Sequence, residues 1–208
     1  MKRKVRCCDG LKFVKTARGV KALITSLPDA REMDYPLNDY QTWFRDAAGL
    51  LMSAVARDGV AVFYQTDRRH EGTLLSKAAL LCNTASSLGL RLLWHKIVLQ
   101  SSVGSISLFR PSYTHMMAFS KLLRAGKPTP DVIEAGKKVY KNGMGINAAS
   151  VAVRFAKHNA KTTTIYDPFC GQGTVLAVAN ALGLDSIGCD IDPSQCNQAK
   201  KVKLKLNG

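Results

Sequence analysis

Residues 162–178 read TTTIYDPFCGQGTVLAV: an apolar strand, a tight turn built on Gly171 and Gly173, and an apolar helix. Strand, glycine turn and helix in this order form the unit that opens a doubly wound α/β sheet. A sheet of that kind normally needs roughly a hundred further residues after its opening unit. Here about thirty remain, so the missing strands must come from the chain that precedes the turn.

The preceding chain supplies them. Strand-like apolar runs occupy 5–8, 20–25, 60–65, 92–99, 113–119, 163–166 and 186–189, seven in all. Helical spacing fills 39–56, with Asn38 as its cap, and then 73–88, 148–158, 173–182 and 193–202. Strands alternating with helices predict a mostly parallel sheet with helices on both faces. The exception is the pair 92–99 and 113–119, whose connection leaves no room for a helix and predicts a terminal antiparallel hairpin. No repeat or low-complexity linker divides the chain, so one domain is expected.

About twenty residues after the glycine turn comes GCDID, an acid at the tip of the next strand. Gly171 and Gly173 allow a sharp turn and close approach to a ligand, and the following helix presents free N–H groups. Asp190 stands where a carboxylate accepts hydrogen bonds from both hydroxyls of a ribose. A dinucleotide fingerprint would carry a third glycine where this sequence has Leu176, which argues against a pyrophosphate ligand.

A seven-stranded sheet with one antiparallel strand near its end, DPFCGQGT and the spaced acid together resemble the class I methyltransferases, whose cofactor is S-adenosylmethionine. The resemblance also answers the question of order. VRCCDGLKFV is similar to the third strand of that fold with its acidic tip, Asp9, and GVKALITSLPDA is similar to the fourth strand and its catalytic loop. The chain thus reads as a circular permutation cut between the second and third units, with residues 1–120 carrying the catalytic loop and 140–208 the glycine loop. One class of DNA amino methyltransferases has the same order. For the cofactor, the resemblance implies contacts from Asp9, Asp167, Phe169, Gly171, Gly173, Thr174 and Asp190. It adds Asn147, in the GMGINAASVAVRFA segment that closes over the methionine end.

Methyl transfer from a sulfonium is an in-line displacement, so an enzyme must aim a nucleophile and manage one proton. The resemblance places that work on Ser26, Pro28 and Asp29. Leu27 and Asp29 stand where DPPY loops of amino methyltransferases have a second proline and an aromatic, and LPD is similar to loops of tRNA methyltransferases that act on ring nitrogens. Asp29 either holds a base edge or caps a turn. No Cys lies in the loop, which disfavours a covalent route to 5-methylcytosine. Gln65, Asp67, Arg68 and His70 follow the fifth strand and either meet substrate or form a solvated turn. Trp43, Phe44, Trp94, His95 and His115 read as core, with the two histidines retained as base contacts.

Thirty Lys and Arg against fifteen Asp and Glu give +15, which favours a polyanion such as nucleic acid over a small molecule. RNA is expected before DNA, because the chain has no room for a separate target-recognition domain. The alternative is a catalytically silent subunit of the same fold that binds RNA or activates a protein partner. No apolar run reaches membrane-span length, and the basic N-terminus lacks the apolar core of a signal peptide. An intracellular protein is expected. Cys7, Cys8, Cys82, Cys170, Cys189 and Cys196 show no CxxC pair or metal-ligand spacing, so free thiols are expected and no metal.

Overall fold

The computed structural model describes residues 1–33, 35–108 and 110–206; the last two residues of the glycine-loop segment, 207 and 208, lie outside these. Along the chain come β1 (Arg3–Cys7), α1 (Gly10–Thr16), β2 (Val20–Thr25), the single turn α2 (Ala30–Met33), α3 (Leu37–Ala54) and β3 (Val55–Gln65). A small hairpin of β4 (Arg68–His70) and β5 (Thr73–Leu75) follows, then α4 (Lys77–Ser87), β6 (Arg91–Leu99), β7 (Tyr113–Ser120) and β8 (Val132–Glu134). The chain closes with α5 (Ile146–Asn159), β9 (Thr164–Asp167), α6 (Thr174–Ala181), β10 (Asp185–Asp190) and α7 (Pro193–Lys201).

Eight strands make one sheet, in the order β1-β10-β9-β2-β3-β7-β6-β8, and β4 and β5 pair separately. Among the described strands of the eight-stranded sheet, only β7 runs against its neighbours. The order carries the permutation. β1 flanks β10 with Cys7 level with Asp190, and β2 lies beside β9 with Leu23 level with Tyr166. The strand count departs from the expected seven, since β8 pairs with Ile97–Leu99 and covers the edge of β6. The hairpin of β6 and β7 therefore does not end the sheet.

Both faces are covered because β2 and β3 alternate two apolar sets. Leu23, Ala61, Phe63 and Phe119 pack under α1, α3 and α4 with Phe13, Tyr40, Phe44 and Leu51. Ile24, Val60, Val62 and Met116 pack under α5 and α6 with Ala149, Val153 and Val178. α7 lies beside α6 and closes on β1 through Leu176, Ala199 and Val5.

Three boundaries differ from expectation for local reasons. Asn38 lies inside α3, whose N-cap is Pro36, a residue whose ring already fixes the φ of −52°. Thr73–Leu75 is a strand, and the helix begins after Ser76, whose side chain accepts from Ala79 N–H at 3.2 Å. β3 begins five residues before Val60, in a stretch whose exposed Arg57 and Asp58 break the apolar pattern.

Candidate active site

The carboxyl ends of β1, β10, β9 and β2 bring the two marked segments together. In the glycine loop Gly171 and Gly173 have φ of +51° and +82°, left-handed values that other residues adopt only under strain. The space beside each glycine is filled from within. A Cβ on Gly171 would meet the Tyr140 hydroxyl, and one on Gly173 would lie 2.9 Å from the Ala199 backbone of α7. Asp190 braces the turn, its Oδ2 accepting Gly171 N–H and its Oδ1 Asp192 N–H, each at 3.0 Å. No side chain caps α6, and the buried Thr174 hydroxyl finds no partner among the described residues.

Asp9 sits just past β1 and caps α1, accepting Lys12 N–H at 2.8 Å. Phe169 packs against Gly10, which has no Cβ to obstruct it. Asp167 is buried at the end of β9 and accepts the Thr25 hydroxyl at 2.7 Å and Phe169 N–H at 3.3 Å. Burial outweighs both donors and lifts its carboxyl to about 7, with Asp190 adding repulsion. The Thr25 to Asp167 bond ties the strand before the SLPD loop directly to the strand before the glycine loop.

Within SLPD the residues separate. Ser26 is exposed and Leu27 is buried. The Pro28 carbonyl accepts the Tyr40 hydroxyl at 3.0 Å. Asp29 turns away from solvent to the Lys77 ammonium, 2.9 Å distant, with Arg68 at 3.8 Å. It also caps α2: its side chain accepts Arg31 N–H at 3.3 Å while Glu32 accepts Asp29 N–H at 3.2 Å, a reciprocal capping box. The turn-cap alternative is thus realised. Burial would raise the Asp29 carboxyl, but Lys77, Arg31 N–H and Arg110 together hold it below the usual carboxylate range.

A second polar chain adjoins the first. Asp67 accepts Lys77 N–H at 2.8 Å on one oxygen and faces His115 Nε2 at 3.1 Å on the other; His115 Nδ1 meets His95 Nε2 at 2.7 Å. With Asp67 ionised, His115 donates to it from Nε2. Burial first, and then His115, push His95 down. Gln65 is buried at the end of β3 and its amide nitrogen has no partner among the described residues. His70 lies on the exposed hairpin beside Glu71.

The structure brings Asp9, Asp167, Phe169, Gly171, Gly173, Thr174, Asp190 and Ser26 to one edge. Asn147, at the start of α5, donates to the Glu134 carbonyl at 2.8 Å, at the carboxyl end of β8. Tyr140, seven residues earlier and just before the GMGINAASVAVRFA segment, reaches the glycine loop. Burial first, and then the Asp167 carboxylate, raise its hydroxyl, which accepts Gln172 N–H. Tyr140 and Lys77 escaped the sequence reading. The one available signal was a lysine on the apolar face of KAALLC, a position that must find a buried acid.

A family model described as DNA methylase matches residues 149–201, from within α5 through β9, α6, β10 and α7. No curated protein sequence matches the chain. Among solved structures, PvuII DNA methyltransferase, which is cytosine-N4-specific, superposes with a TM-score of 0.78 at 13% identity, covering 100% of this chain and 89% of that one. TTHA0409 of Thermus thermophilus, a candidate DNA modification methylase complexed with S-adenosyl-L-methionine, gives 0.73 at 16% identity over 97% and 94%. The M1.HpyAVI complex with its cofactor gives 0.66 at 14% identity over 96% and 98%. The chain has the class I methyltransferase fold, entered at its third strand.

Proposed function

We propose that this protein is an S-adenosylmethionine-dependent methyltransferase acting on a base nitrogen of nucleic acid. The observation that carries the proposal is the Thr25 to Asp167 bond, which fixes the SLPD loop beside the glycine loop at one sheet edge. The residues present suit the cofactor. Asp190 retains lone pairs for ribose hydroxyls, Asp9 stands on the adjacent strand tip, and α6 offers an uncapped N-terminus with the unpartnered Thr174 hydroxyl. When bound, the cofactor supplies an electrophilic methyl group on a sulfonium. Ser26, the exposed polar side chain of the loop, orients the target nitrogen, while Asp29 holds the loop in shape and stays ionised against Lys77.

Within this reading DNA is the first substrate to test, since the structural relatives are DNA methylases by name. RNA, expected from the sequence, keeps the support of Leu27 and Asp29 in place of a DPPY loop. A second reading, the catalytically silent subunit, is favoured by one observation: the Asp29 carboxylate is already engaged by Lys77 and the α2 cap.

The test has two stages. Calorimetry should show cofactor binding that weakens by about 1–3 kcal/mol in Asp190→Ala, the range for losing charge-assisted hydrogen bonds. Labelled methyl transfer to DNA and RNA oligomers, read by nucleoside mass spectrometry, should then identify the modified base. Cofactor binding without transfer to either polymer would hand the case to the silent subunit.

A further inference from the structure

Beyond β6 and β7 the antiparallel pair continues as an arm. Gln100 N–H donates to the Ser112 carbonyl at 2.8 Å and closes its base; Ser105 N–H donates to the Ser102 carbonyl at 3.1 Å and turns its tip. Every residue of 101–108 is exposed. Among them Val103, Ile106 and Leu108 stand 87%, 92% and 78% in solvent, largely uncovered by the described residues.

The arm shares a sheet edge with the candidate site. β6 runs toward the carboxyl edge and β7 leaves it, so the arm rises from the edge that carries the glycine and SLPD loops. Leu108 and residues 69–74 line an open concavity of about 370 Å³ beside the β4 and β5 hairpin. At the foot of the arm, Arg110 acts on Asp29, and it joins burial in depressing the Lys138 ammonium. Arg68 and Arg69 extend this collar of positive charge, and its one acid in the hairpin, Glu71, faces His70 at 3.6 Å.

We infer that the arm is an aliphatic wedge that enters the base stack of a nucleic-acid substrate beside the target nucleotide. The inference rests on the methyltransferase reading, because a nitrogen in a paired, stacked base is out of reach until the base is turned out. An apolar side chain that fills the vacated step replaces the lost stacking, and cations on either side hold the phosphates of the displaced nucleotide. Charge selects the occupant: aliphatic side chains rimmed by arginines fit a polyanion that also offers apolar flat faces.

The test uses Ile106→Ser/Leu108→Ser, whose positions are solvent-exposed and leave the core untouched. The substrates are a duplex with the target paired and the same duplex with the target opposite an abasic site. Methylation of the paired duplex should fall by about tenfold or more, and that of the abasic-opposed duplex should stay within about twofold of wild type, because the unpairing cost is already removed. Equal loss on both substrates would mean simple docking, and no loss on either would also overturn the wedge. If the wild type binds nucleic acid but transfers no methyl group, the methyltransferase reading fails and the wedge is judged separately. A 2-aminopurine at the target position should then brighten with the wild type and not with the variant. No brightening with the wild type, or equal brightening with both, would overturn it. Wild type that binds neither DNA nor RNA would end both readings.

Discussion

Asp29 and Asp167 stand near the tips of neighbouring strands and are tuned in opposite directions. Asp167 is buried and raised to about 7, so the folded state holds its proton more tightly than the unfolded chain does. Stability therefore falls as pH rises from about 4 to about 7 and levels off above that. Asp167→Asn should flatten this window, because a single amide oxygen can keep both the Thr25 and Phe169 donors. Urea midpoints at pH 5 and pH 7.5 measure it; equal pH slopes for the two proteins would show that Asp167 titrates as an ordinary carboxyl. For Asp29 the sign is reversed. Its stabilising contribution is full above the ordinary carboxylate value and is lost as pH falls through its lowered folded-state value. Both aspartates were visible in the sequence because each sits in a recognisable loop. Their partners were not, since Lys77 lies 48 residues from Asp29 and is found only by folding.

The glycine loop shows how an element can be identified correctly for an incomplete reason. Its glycines were read as room for a ligand, yet Gly173 is also required by α7, whose Ala199 backbone would stand 2.9 Å from a Cβ. Gly173→Ala should therefore destabilise the protein by about 1–3 kcal/mol with no ligand present, through left-handed strain and overpacking. Denaturant unfolding of the ligand-free protein checks this; an unchanged midpoint would mean that α7 yields freely. The long elements were legible because β2, β3, β9 and β10 carry apolar runs and α3 and α5 carry helical spacing. β4, β5 and β8 have three residues each, too few to establish a period of two. α1, only seven residues long, is defined as much by its Asp9 cap as by its apolar face.

At the scale of the whole molecule, two clusters of positive charge lie at opposite edges of the sheet. The terminal clusters lie at the amino edge, where Arg3 donates to the Val202 and Ala199 carbonyls at 2.5 and 2.9 Å, opposite the candidate site. On β1, an edge strand, Lys and Arg also discourage pairing with other chains. Arg68, Arg69 and Arg110 sit at the carboxyl edge instead. Arg69→Gln/Arg110→Gln should therefore lower the slope of log affinity against log salt by roughly two, whereas Gln at Lys200, Lys201, Lys203 and Lys205 should change it by less than about one. Salt titrations of nucleic-acid binding decide this, and a larger effect from the terminal lysines would move the interface to the other edge. The permutation that separates these edges also sets a timetable. Among the described residues β1 has β10 as its one sheet neighbour, and the two are separated by 183 residues where Lys2 N–H meets Asp185. At ribosomal speeds the interval between them is on the order of ten seconds. Throughout that interval β1 stands without the strand it pairs with, and the seam beside Asp190 closes only once β10 has been made.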